Sequence, residues 1–170
     1  MATRRVEIGP TGDTVRRNIA RTRQDQRLTL RQLADLLAET DRPMSYTTLS
    51  QIENGARRVD VDDLMSLAVA LNVSPIVLLT DRTKSGSETV TATGLGDVEA
   101  RDLWDWLRAE RFPITKRLAE SPVADPDADL GWILGRPNWV NGIADQAQID
   151  EIRNLSHQLQ RIVRRFDGDD

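Results

Sequence analysis

Cysteine is absent from the 170 residues, and histidine occurs once, as His157. Without cysteine there is no disulfide, no thiolate nucleophile and no sulfur-rich zinc site. With one histidine there is no histidine cluster. The chain also lacks a phosphate-cradling glycine loop and a histidine beside a candidate nucleophile, so no enzyme activity, cofactor or metal is expected. The spacing of Asp125, Asp127 and Asp129 fails as a calcium loop, because Leu130 and Arg136 stand where glycine and glutamate are needed. No apolar run reaches the roughly eighteen residues of a membrane span, and MATRRVEIGPTG lacks the apolar centre of a signal peptide. A soluble, cytoplasmic protein with no membrane partner is expected.

Charge is present in both signs but unevenly placed. The net charge is −4, yet residues 1–60 carry 11 basic and 8 acidic side chains, a net of +3. Residues 61–110 come to −5 and residues 111–170 to −2. The basic excess therefore sits in the N-terminal third, and such asymmetry says more about partners than the total does.

Helical patterning fills that third. Val15 and Ile19 share a face of a first helix expected from about Thr14 to Gln26. Thr29 and Gln32 have capping-box spacing, and Leu30, Leu33, Ala34 and Leu37 follow as an apolar stripe of helical period. Ser45 caps a third helix that Asn54-Gly55 ends. A fourth spans DVDDLMSLAVALNV, with acidic residues in its first turn and Leu64, Leu67, Ala68 and Leu71 on one face. Ser74-Pro75 opens a short fifth helix through Leu79. Residues 81–97 are rich in Ser, Thr and Gly and read as a linker, in which ETVTAT has the look of a short extended segment. Beyond it, Ala100, Leu103, Trp104 and Leu107 share a helical face. Ile152, Leu155, Leu159, Ile162 and Phe166 form a heptad seam barely two heptads long, suited to an internal core or a dimer contact.

The third helix has an unusual outer face. Leu49 and Ile52 define its inner side, while Tyr46, Thr47, Ser50, Gln51 and Asn54 lie opposite, with Thr48 at the boundary. A solvated face would favour strong helix formers and long ion-pairing side chains. These are short hydrogen-bonding groups, suited to base edges in a major groove, where Gln and Asn pair with adenine and hydroxyls suit several bases. Arg57 and Arg58 follow the helix end, in position for the sugar-phosphate backbone. Composition alone leaves an ordinary solvated helix as the alternative.

LTLRQLADLL, SYTTLSQIENGARR and VDVDDLMSLAVALNVSPIVLL together resemble the phage-repressor (Xre/Cro) type of helix-turn-helix regulator over residues 13–80. The resemblance implies an all-α fold, with a five-helix lambda-repressor-like DNA-binding domain at 13–80. Around it lie a flexible arm at 1–12, the linker at 81–97 and a C-terminal helical region at 98–170 for assembly or sensing. It implies a third helix in the major groove and a second helix crossing the backbone. Base contacts are then expected from Tyr46, Thr47, Thr48, Ser50 and Gln51. Phosphate contacts are expected from Arg31, Gln32, Arg42, Ser45, Asn54, Arg57 and Arg58. Arg23 and Glu53 match a structural ion pair of the family. Two departures stand out. Leu30 occupies the position of the family's phosphate-touching glutamine, and the AETDRPMS connection replaces a tight glycine turn. The expected function is repression by occupying a promoter operator on double-stranded DNA, as a homodimer. Alternatives are an antitoxin- or immunity-type regulator whose C-terminal region binds a protein or small-molecule effector, and a non-DNA interaction adaptor.

Overall fold

Helix α1 (Pro10–Asp25) starts ahead of the expected Thr14 because Pro10 occupies a first-turn position, where its missing amide forfeits no bond and its ring presets a helical φ. The computed structural model describes residues 7–110 and residues 136, 137, 140, 147, 150–155, 157, 158 and 161. The chain divides into two compact units, Met1–Arg111 and Phe112–Asp170. The expected flexible arm is thus corrected over its described part. Residues 10–12 are helical, and Arg58 Nε donates to the Glu7 carbonyl just ahead of them.

Four further helices follow: α2 (Leu30–Ala38), α3 (Tyr46–Glu53), α4 (Val61–Ala70) and α5 (Pro75–Leu79). Their starts follow the capping chemistry. Thr29 and Gln32 form a reciprocal capping box, and the side chains of Ser45, Asp60 and Ser74 accept amides from the first turns of α3, α4 and α5. Within α1–α5, three ends share one device. At α1, α3 and α4 the residue after the cap is left-handed (Arg27, Gly55 and Asn72), and paired amides return to the last turn, as when Ala56 donates to Gln51 and Gly55 to Ile52. Only Gly55 takes this conformation without a steric cost.

The first core joins Val15 and Ile19 of α1, Leu33 and Leu37 of α2, Leu49 and Ile52 of α3, Leu67 and Ala68 of α4 with its C-cap Leu71, and Leu78 of α5. Met44, from the α2–α3 connection, is buried with them. That long connection is therefore part of the core boundary and not a free loop.

Residues 81–97 differ from the expected linker. Strands β1 (Thr89–Ala92) and β2 (Gly96–Glu99) pair antiparallel, with Val90 opposite Val98, so the described fold is mainly helical with one small sheet and is not all-α. The TVTA segment alternates outward and inward, and the positive φ of Gly94 and Gly96 lets the chain reverse. Helix α6 (Ala100–Leu107) closes a second core of Val90, Ala92 and Leu103. Trp106 packs against this core, whereas Trp104, expected on the buried face, turns outward. The hairpin is tied to α1 by mutual amide-to-hydroxyl bonds between Thr11 and Thr93. In the second unit, residues 150–155 are helical, with Ile152 half-buried and Leu155 exposed. Leu159, Ile162 and Phe166 of the expected seam lie outside the described residues, as do residues 1–6 and Asp125, Asp127 and Asp129. Among the described residues, no helix is long and apolar enough to cross a membrane.

Buried Asn18 holds the end of α5, its amide nitrogen donating to the carbonyls of Val77, Leu78 and Thr80. Asn18→Ala strands these acceptors and should lower unfolding free energy by about 1–3 kcal/mol. Asn18→Asp sets a carboxylate against the same oxygens and should cost more. Urea denaturation followed by circular dichroism orders the two variants.

Candidate nucleic-acid interface

Helix α3 is held from its inner side and its two ends. Leu49 and Ile52 are fully buried. At the start, Ser45 Oγ accepts the Thr48 amide at 3.1 Å and shares a 3.0 Å bond with the Thr48 hydroxyl. At the end, Arg23 reaches across from α1 and forks both Glu53 oxygens, at 2.7 and 2.8 Å, while its third nitrogen donates to the Leu28 carbonyl. Arg16 donates to the Glu53 carbonyl at 3.2 Å, neutralising the exposed C-terminal end of the helix. Both side chains of the Arg23–Glu53 pair are only 12% exposed. The hydrogen bond to Glu53 raises the Arg23 pKa above its ordinary high value, against an opposing effect of burial. The folded-state guanidinium therefore holds its proton to higher pH than a free arginine, so its contribution is full below the usual arginine range and is lost only as pH rises through the raised folded-state value.

The outer face separates into free and committed groups. Tyr46 is 52% exposed, and Thr47 and Gln51 are exposed beside it. Among the described residues, these three side chains have no hydrogen-bond partner. Thr48 is half-buried with its hydroxyl on Ser45, and Ser50 is half-buried with its hydroxyl 3.4 Å from the Asn54 amide. Tyr46, Thr47 and Gln51 thus form the open part of the expected base-reading set, with Thr48 and Ser50 at its rim.

The expected phosphate-binding set divides more sharply. Arg31 is exposed, and no described residue pairs with it. Gln32 spends its carbonyl oxygen on the Thr29 amide and keeps its NH2 for other partners. Ser45 and Asn54 are occupied as above. Arg58 reaches Glu7. Arg42 and Arg57, expected as free cations, are both paired with carboxylates: Arg42 with Asp60 at 2.7 Å and Asp63 at 3.0 Å, and Arg57 with Asp63 at 2.8 Å. The hydrogen bond to Asp63, aided by the charge of Asp60, raises the Arg42 pKa. The sequence reading missed Asp63 and Arg16. Asp63 reads as one more acid complementing the α4 dipole, and Arg16 as one more solvated cation; no local pattern distinguishes either role.

Residues 19–78 match the model of a family described as Helix-turn-helix. This stretch is a helix-turn-helix domain of the Xre and lambda-repressor type, the class of DNA-binding transcriptional regulators. No curated protein and no solved structure matches the chain.

Replacing Glu53 with Ala leaves Arg23 inside the α1–α3 junction without its carboxylate and should cost roughly 3 kcal/mol. Adding Arg23→Ala should recover part of that loss, giving a non-additive double-mutant cycle. Simple additivity in denaturant titrations would show that the two residues act independently.

Proposed function

We propose that the chain represses transcription by seating α3 in the major groove of a specific operator. The observation that carries this reading is the division of α3: its apolar side and both ends are fixed, while Tyr46, Thr47 and Gln51 stand exposed and unengaged. A fixed helix whose outward side chains keep their donors and acceptors free is what direct readout requires. Gln51 pairs with an adenine edge, Tyr46 and Thr47 contact neighbouring bases or a thymine methyl, and Thr48 and Ser50 flank them. Arg31, the Gln32 amide and Arg58 supply backbone contacts that fix register. Eight residues of helix cover a single groove segment, so a homodimer reading two half-sites about one helical turn apart is the assembly that gives an operator-length site.

Selection from random duplexes should return one enriched motif, palindromic if the dimer binds. Gln51→Ala should relax preference at one base position by about 1–3 kcal/mol and leave the others unchanged. A uniform loss on every sequence would remove Gln51 from base reading.

One further feature favours a regulator that responds to a small molecule. A groove of about 400 Å3 lies between the end of α5, residues 80–86 and α6, lined by Val77, Thr80, Gly86, Arg101 and Trp104. Asp81 and Arg82 on its wall are paired with Arg17 and Asp25. Arg101 has no ion-pair partner among the described residues. A small aromatic carboxylate fits, its ring on the Trp104 indole and its charge on Arg101. Benzoate titration should quench tryptophan emission in the native chain and lose that effect in Arg101→Gln; equal responses would rule the groove out as the site.

A further inference from the structure

Asp63 lies in the first turn of α4, outside the helix-turn-helix pair, and is 1% exposed. Its two oxygens go to different segments. Oδ1 accepts Arg42 Nε at 3.0 Å from the connection before α3, and Oδ2 accepts an Arg57 nitrogen at 2.8 Å from the connection after it. Asp60 completes the set: one oxygen caps the Asp63 amide at 2.7 Å, and the other takes a second Arg42 nitrogen at 2.7 Å. Every oxygen of the two carboxylates is used, and two positive charges face two negative ones. The positive end of the α4 dipole favours both acids at this place.

Two consequences follow from this geometry. The chain entering α3 and the chain leaving it are fastened to one buried atom group, so α4 restrains both flanks of the helix despite the long α2–α3 connection. Arg42 and Arg57 are also about two-fifths exposed at their side chains (40% and 38%). Released, each is a mobile cation beside the DNA-facing helix. Free guanidiniums bind phosphate whatever the sequence, whereas a fixed helix discriminates among bases. We infer that Asp63 is a positioning residue for sequence discrimination, which holds α3 at both ends and withholds two arginines from indiscriminate phosphate binding. This inference rests on the DNA-binding reading for its second half; the fastening of α3 stands without it.

Asp63→Asn keeps the shape and removes the charge. In the full-length chain, the ratio of affinity for the selected operator to affinity for random duplex should fall at least about tenfold, the size of one lost base-pair preference. Affinity for random duplex should hold or rise, with a salt slope steeper by about one to two as Arg42 and Arg57 become phosphate contacts. A purely structural role would instead weaken both affinities together. Amide hydrogen exchange without DNA tests the fastening on its own: it should accelerate at residues 44–48 and 54–58 and stay unchanged in the middle of α1. Arg42→Gln should loosen only the first segment and Arg57→Gln only the second, and this pair carries the test should Asp63→Asn not fold. Unchanged exchange in both segments, or a uniform rise through α1–α5, overturns the fastening. An unchanged affinity ratio in a variant with loosened segments overturns the discrimination role. Native protein that binds no DNA refutes the function proposed above while the exchange result still decides whether Asp63 fastens α3.

Discussion

The fork of Arg23 onto Glu53 is the contact on which the orientation of α3 depends. Burial of Leu49 and Ile52 supplies more energy, since truncating such side chains costs about 2–5 kcal/mol each, but apolar contact is non-directional and leaves a short helix free to roll or slide. Two parallel hydrogen bonds between planar groups admit one geometry. Because Arg23 also holds the Leu28 carbonyl, the same guanidinium fixes the turn between α1 and α2. The pose of the outward side chains is thus referred to α1, the longest helix among the described residues.

Other polar contacts extend this reference frame. Arg16 covers the carbonyl end of α3, and Asp63 ties both flanking connections to α4. The pattern answers the chain's departure from a tight helix-turn-helix connection. A longer loop adds conformational entropy that must be removed for a defined docking pose. Here Met44 is buried at the α3 end of the loop, Arg42 pairs with two acids and Thr40 bonds locally at the α2 end. The insertion is absorbed by added restraints, and Arg42, which looks from sequence like a spare cation for DNA, is one of them.

What the sequence made legible followed from local chemistry. Capping residues at Thr29, Ser45 and Ser74, the stripes of α2 and α4 and the glycine stop after α3 all act within a few residues, so their patterns are readable in order. The open groups at Tyr46, Thr47 and Gln51 were legible for the same reason, since 100° per residue separates them from Leu49 and Ile52. The misses are long-range or atypical. Helix α1 ends on a left-handed Arg27, which no turn signal announces. Residues 81–97 read as linker because Ser and Thr dominate them; the extended look of ETVTAT matches β1, but its pairing with β2 has no local signal, since only Val90 and Ala92 need face inward for two short strands to cover α6. Trp104 and Trp106 are equally apolar on paper; which of them packs is decided by where the hairpin lies. The pairing of Arg42 and Arg57 with a residue on another helix had no local signature at all.

These pairings change the electrostatics of the side that α3 presents. Of seven residues expected on phosphates, few keep an uncommitted positive charge, and the chain as a whole is at −4. With about two or three phosphate contacts per protomer, counterion release gives a salt slope of only about −2 to −3 for one copy. Such a domain has little indiscriminate attraction to DNA, so on the proposed reading its occupancy comes from shape and base-edge hydrogen bonding. Low background binding then works in favour of selectivity, because the random genome competes through the very phosphate term that the paired arginines suppress.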